Sequence, residues 1–505
     1  MEEETNAPKT KKIGLIGLVL MVFTSIYGLG NTTVAYDQMG YAAIMWYVIA
    51  AALFFFPTIM MFAEYGSSFK AVRGGIYSWL AGSIGERMAF IGTFIWLSSW
   101  IVWLVSEASK VWIPFAVSFF GHDTTQTWHI FGLSSTETIA LCGIALVIVA
   151  TYFSVHGFKQ IARFAAFGGT ITLLVTGAFM LMSLVLIVIQ KGQLAQPFTA
   201  KSIVSSPNPQ FSSPVAILSF VVYAIFAYGG METMGGVIDN VKKPEKTFPR
   251  AMIVSMIMMM VIYSVGILLW GVSANWHSIV GGKTTNLGNV LYVLMNNLGM
   301  QFGKVLGLSH AGTITLGNWF ARIIGIEEFL SDMGAFFVLL YSPLKSFILG
   351  SPKKFWPKKM TQINKYGVPA FAMWVQAAIV SVMIFAVAFG GSNAKAFYTV
   401  LTDMENISGT FPYLFLVGAF PFFRMKKGLD RPFQFYHNMT TVWVSTAIAW
   451  LTILFGIIFT EIEPIMTGDY YTAFWTIAGP IVFGIIALIF YNMSERRTAA
   501  ALDID

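Results

Sequence analysis

Twelve stretches long and apolar enough to cross a bilayer follow one another along the chain. They lie near residues 13–36, 42–65, 88–119, 136–155, 162–190, 214–239, 250–273, 314–346, 368–390, 396–423, 438–460 and 471–493. A hydrocarbon core of about 30 Å needs about 20 residues of α-helix. Lipid offers the backbone no hydrogen-bond partners, so apolar segments of this length have to be helical. Charge is correspondingly scarce. Only 11% of the 505 residues are charged and 56% are hydrophobic, whereas a soluble domain is about 25% charged. The expected fold class is all-α integral membrane, with about 12 transmembrane helices. The chain opens Met1-Glu2-Glu3-Glu4, and the first span is expected to be too long and uncleaved in character for a signal peptide.

The net charge of +7 would suit a nucleic acid, but its distribution suits a membrane better. With both ends cytoplasmic, 24 of the 31 Lys and Arg fall in inner segments, in clusters such as Lys242-Lys243-Lys246 and Lys353-Lys354-Lys358-Lys359. Lys110, Lys191, Lys201, Lys283, Lys304, Arg322 and Lys395 fall in the outer half. This asymmetry orients insertion and reflects anionic headgroups. A multi-pass protein of the cell membrane is expected, with lipid and no nucleic acid as partner. Its cytoplasmic ends would be residues 1–12 and 494–505. The single cysteine, Cys142, and six scattered histidines make no paired ligand motif, so no metal or cofactor is expected.

Two spans differ from the rest. Span one carries Thr24-Ser25-Ile26-Tyr27-Gly28-Leu29-Gly30-Asn31-Thr32-Thr33, and span six carries Tyr228-Gly229-Gly230-Met231-Glu232-Thr233-Met234-Gly235-Gly236. Glycines of this kind can simply let helices pack closely. Two such runs at matching places, five spans apart, instead read as breaks in winding, which survive in lipid only where they line a cavity or are buried in protein. A break exposes N–H groups that favour a carboxylate and C=O groups that favour an ammonium. Paired breaks at the bilayer centre are the best sequence pointer to a carrier's binding site. The halves would be residues 13–190 and 214–423, inserted in opposite orientation, followed by two further helices over 438–493.

Several motifs resemble those of the amino acid–polyamine–organocation transporters. Gly28-Leu29-Gly30 resembles the first-helix glycine triplet, and Arg73-Gly74-Gly75-Ile76-Tyr77-Ser78-Trp79 the segment after helix two. Gly230-Met231-Glu232-Thr233 with Lys243-Pro244-Glu245-Lys246-Thr247-Phe248-Pro249 resembles the sixth helix and its exit. Asn364-Lys365-Tyr366-Gly367-Val368-Pro369 resembles the entry to helix nine. Within that superfamily the chain is most similar to the glutamate:GABA antiporter group, in its YjeM-type branch. The resemblance implies a five-plus-five inverted repeat of the LeuT type with discontinuous helices one and six, working by alternating access. It implies substrate contacts at Ser25, Ile26, Gly28, Leu29 and Gly30, and at Phe226, Ala227 and Gly229, with Phe226 as an aromatic lid. The short tail leaves no room for the C-terminal plug of the acid-stress exchanger.

An ionisable side chain inside a span costs about 2.5–3.5 kcal/mol on insertion scales, so each one asks for a reason. Glu232, beside the second break, is a candidate for gating or coupling, or else a carboxylate satisfied by its neighbours. Glu327, Glu328 and Asp332 stand in span eight, where helical spacing puts Glu327 or Glu328 near the Asp332 face, with Arg322 as the expected partner. Asp403 and Glu405 stand in span ten. Trp103, Glu327, Phe337, Asp403 and Glu405 are candidate cavity-lining residues, and acids there would favour a cationic or zwitterionic ligand. Glu107 and Lys110, three apart, are expected to satisfy each other, and Glu64 to reach a basic loop. Trp96, Trp100 and Trp103 follow helical spacing and read first as packing.

Some proton-coupled relatives carry a helix-five lysine about fifteen residues after a glycine. Counting from Gly157 reaches Thr172 instead. Sodium-coupled relatives place a Ser/Thr pair in helix eight where Gly334-Ala335-Phe336-Phe337 stands here. An exchanger of small amino acids or their decarboxylated amines fits best, with a proton-coupled symporter as the alternative. A channel would want a continuous polar stripe. An enzyme would want a catalytic set, and no such motif is present.

Overall fold

A computed structural model describes residues 13–69, 75–156, 161–282, 284–390 and 393–502. The N-terminal segment 1–12, Arg73 and Gly74 of the Arg73–Trp79 motif, Gly157, and residues 503–505 of the tail fall outside the described residues. Every regular element among those residues is helical, and the one isolated strand-like bridge joins Ile13 to Val241.

In chain order the helices are α1 (Leu15–Ile26), α2 (Leu29–Met39), α3 (Ala42–Ser68), α4 (Gly75–Ile84), α5 (Glu86–Phe120), α6 (Ser135–Val155), α7 (Ile161–Ile189) and α8 (Pro214–Phe226). A 3₁₀ segment, Met231–Asn240, follows α8. Then come α9 (Pro244–Ser273), α10 (Val290–Val305), α11 (His310–Gly350), α12 (Ala370–Ala388), α13 (Ala394–Met425), α14 (Met439–Thr467) and α15 (Tyr470–Leu502). Among the described residues ten helical stretches are long and apolar enough to span a bilayer, one of them, Pro214–Met234, running from α8 into the 3₁₀ segment, and α1 with α2 makes a further span bent by 44°. At 41 residues α11 is the longest helix, but Arg322, Glu327, Glu328 and Asp332 keep its composition from resembling an ordinary span.

Helix starts follow side-chain chemistry. The Ser134 hydroxyl accepts from the Glu137 amide, and the Glu137 carboxylate accepts from the Ser134 amide, a reciprocal cap on α6. The Asn393 and Asn438 side chains each accept one amide hydrogen bond at the starts of α13 and α14, and Pro244 opens α9, where no N–H is needed.

Burial sorts the helices into centre and rim. The most apolar window of α5 is 83% buried, whereas that of α7 is 22% and those of α14 and α15 are 33% each. Leu174, Leu181 and Val188 on α7, and Val382 on α12, stand exposed, as lipid-facing side chains must. The core holds rings: Phe55 stacks on Tyr228 at 4.5 Å, and Tyr263 meets both Tyr27 and Tyr47 at 5.2 Å.

The outer stretch 274–312 is less simple than the loop expected from sequence. It contains the sixteen-residue α10, which buries Leu291, Leu294, Met295 and Leu298 against α11. Glu64 does reach the basic segment. It is fully buried, pairs with Arg424 at 2.7 Å, and accepts from the Phe435 and Tyr436 amides. That contact ties α3 to the end of α13 and to the segment leading into α14.

Candidate functional site

Helix one breaks where its glycines and small polar residues stand. Tyr27 and Gly28 are extended, and α2 starts again at Leu29. The Phe23 carbonyl is taken by Tyr27 and the Ile26 carbonyl by a tyrosine hydroxyl. Among the described residues, nothing donates to the carbonyls of Thr24 and Ser25, and nothing accepts from the amides of Leu29 and Gly30. A Cβ at Gly30 would meet nothing within 4 Å. Unpaired carbonyls and unpaired amides therefore stand on either side of one turn, with free space beside Gly30 and the Ser25 carbonyl against Gly230.

Span six loses its winding too, but closes its own hydrogen bonds. After α8 the chain turns through Gly230, whose φ of +105° suits glycine alone, and continues as the tighter 3₁₀ segment. The Gly229 amide returns to the Phe226 carbonyl at 2.8 Å, and the Gly230 amide is held by the Tyr413 hydroxyl at 2.8 Å. The two breaks touch. A Cβ on Gly230 would stand 3.1 Å from the Ser25 carbonyl oxygen. The Tyr263 hydroxyl of α9 lies 2.9 Å from the Ala227 carbonyl and 3.2 Å from the Ile26 carbonyl, and accepts from Asn31 at 3.2 Å. One side chain thus fixes both interruptions. Sequence reasoning missed it, because nothing in an apolar span marks which tyrosine will meet two distant carbonyls.

Glu232, buried at 4% exposure, accepts from the Tyr413 hydroxyl, from Trp96 Nε1 at 3.2 Å and from the Gly230 amide at 3.1 Å. Three donors around one carboxylate satisfy its charge in place and join α5, α13 and the break. Trp96 therefore does more than pack. Trp103 packs near Phe336 with ring centroids 6.5 Å apart. Phe226, half-buried at the end of α8, lies on Gly409 of α13, where a Cβ would come within 2.7 Å of its ring.

Two expected ion pairs are replaced. Lys110 binds Glu405 at 3.0 Å, with Ser106 donating to the same carboxylate at 2.9 Å. Positions 106 and 110 share one face of a helix, while 107 points about 100° away. Glu107 turns instead toward Asp332 of α11, and its Oε1 is buried with no partner. Arg322 serves none of these acids; it donates to the Phe119 carbonyl at 3.3 Å and covers Trp319. Glu327, 2% exposed, accepts from the Thr172 hydroxyl of α7, which also lies 3.3 Å from Ser331. A cavity of about 500 Å³ opens elsewhere, between α2, α8, α13, α14 and the segment 276–287; Asp403 lines it, and Trp103, Glu327, Phe337 and Glu405 do not. Among the described residues no group of three His, Cys, Asp or Glu side chains could hold a metal ion.

The model of the amino acid permease family matches residues 13–487. The chain belongs to that family. This permease is 46% identical over 491 residues to the inner membrane transporter YjeM of Salmonella typhimurium, covering 97% of this chain and 98% of that one. It is 45% identical to the Escherichia coli inner membrane transporter YjeM, covering 97% of each chain. At 20% identity it matches a glutamate/gamma-aminobutyrate antiporter of Lactococcus lactis, over 96% of this chain and 92% of that one. The permease is thus a multi-pass helical membrane protein whose relatives are named as transporters and permeases.

Proposed function

We propose that this permease is a secondary carrier of small amino acids or their decarboxylated amines, exchanging one for another by alternating access around the breaks of spans one and six. One observation carries the reading. Unpaired carbonyls at Thr24 and Ser25 and unpaired amides at Leu29 and Gly30 stand either side of the helix-one break, next to the second break at Gly230, with free space beside Gly30. Amides favour a carboxylate and carbonyls an ammonium, so the break suits an amino acid through both groups and an amine through its ammonium. Ser25, Ile26, Gly28, Leu29 and Gly30 hold its polar end, and Phe226, Ala227 and Gly229 its other side. Phe226 moves as the lid, and Glu232 keeps the second break in register.

In this reading residues 13–190 and 214–423 are the two inverted repeats, 438–493 adds two helices, and both ends of the chain face the cytoplasm. The glutamate/gamma-aminobutyrate antiporters among the relatives supply the substrate class. Counterflow tests it. Proteoliposomes preloaded with unlabelled γ-aminobutyrate or glutamate should take up the labelled solute, and empty ones should not. Uptake into empty vesicles driven by a pH gradient would replace exchange with proton symport, a second reading favoured by Glu107, whose buried Oε1 has no partner beside Asp332.

A further inference from the structure

The 500 Å³ cavity has walls that ask for a particular charge. Asp37 of α2, Asp403 of α13 and Glu463 of α14 line it, against Lys395 as the one Lys or Arg among its described lining residues. Among the described residues no salt bridge or hydrogen bond engages any of these three carboxylates. Asn406, only 2% exposed, also lines the cavity and has no partner for its carboxamide. Gln38, 7% exposed, leaves its amide oxygen buried without a partner. Buried polar groups are nearly always hydrogen-bonded, so the idle Gln38 oxygen implies a missing partner, and the unpaired Asn406 carboxamide on the same cavity can serve one.

Among the described lining residues the acids outnumber the lysine three to one. The complement is a molecule rich in N–H and positively charged. A bare metal ion does not fit, because the acids are not gathered as ligands, and the volume is that of a small-molecule site. Tyr223 forms part of the wall, and its hydroxyl donates to the Asn31 carbonyl at 3.0 Å, so the cavity adjoins the helix-one break.

We propose that this cavity binds an alkylammonium ion, a primary amine or the amine end of a diamine, held by Asp37, Asp403 and Asn406 beside the helix breaks. The assignment deepens the carrier reading and rests on it for the direction of travel. It narrows the substrates toward amines and away from dicarboxylates, because an anion entering here meets three carboxylates.

Cadaverine and glutarate share a five-carbon chain and differ in the sign of their charge. Calorimetric titration of the full chain in nanodiscs should show cadaverine binding and no glutarate binding. Asp403→Asn and Asp37→Asn should each weaken cadaverine by about tenfold, a loss of one strong charge contact. Lys395→Met should tighten it, an opposite change that misfolding cannot imitate. Cadaverine binding without counterflow in the wild type overturns only the carrier reading. Glutarate binding as tightly as cadaverine, or unchanged cadaverine affinity in both Asp variants, overturns the site.

Discussion

Gly230 stands against Ser25: a Cβ on the glycine would lie 3.1 Å from the serine carbonyl oxygen. The two interruptions are in contact, and the contact depends on a residue without a side chain at φ +105°. Gly230→Ala meets both obstacles, a left-handed backbone costing about 1–2 kcal/mol and a carbonyl to be pushed aside. The expected outcome is a lowered melting temperature and counterflow reduced at least about tenfold, since about 1.4 kcal/mol in a barrier is a factor of ten. Gly28→Ala, at extended φ with room beside it, should be milder in both assays.

Tyr263→Phe removes the hydroxyl shared by the Ala227 and Ile26 carbonyls and leaves the ring packing of the core in place. Burying carbonyls without their donor costs about 1–3 kcal/mol. Thermal unfolding in detergent should register that loss, and counterflow should fall with it. A double variant with Asn31→Ala should lose less than the sum of the two single variants, because Asn31 donates to the same hydroxyl.

Much of this was legible in the sequence, for local reasons. The break in span one falls inside the run Thr24–Thr33, and Glu232 could be singled out because a carboxylate in a span needs partners. Its partners were not legible. Tyr413 and Trp96 are 181 and 136 residues away, and no local spacing encodes such contacts. Lys110 shows the opposite hazard, since a spacing of three suggested Glu107 while helix rotation aims it at Glu405, 295 residues on. For α10 the signal existed. Leu291, Leu294, Met295 and Leu298 repeat at helical spacing in a segment too short to span a bilayer.

Glu232 separates charge from hydrogen bonding. Glu232→Gln keeps the shape and can still accept from one or two of the three donors; Glu232→Ala leaves the Gly230 amide, Trp96 and Tyr413 with one partner fewer each. Melting temperatures should fall in the order wild type, Gln, Ala. A cycle with Tyr413→Phe should give a coupling of about 0.5–3 kcal/mol, the range for residues in one network.

The Glu64–Arg424 pair is buried on both sides, at 0% and 9% side-chain exposure. Removing one partner of such a pair costs about 3–5 kcal/mol, because the other charge is left alone. Arg424→Met should therefore reduce the yield of folded protein on size exclusion, and the double variant Glu64→Met with Arg424→Met should recover part of it.

The central claim is that the helix-one break opens onto water at membrane depth. Cysteine labelling tests it without knowledge of the substrate, because Cys142 is the chain's single cysteine. In a Cys142→Ser background, Gly30→Cys should react with a membrane-impermeant thiol reagent applied to both faces of the membrane. Leu174→Cys, on the exposed rim of α7, should remain unlabelled. A folded Gly30→Cys protein as unreactive as Leu174→Cys would contradict the account.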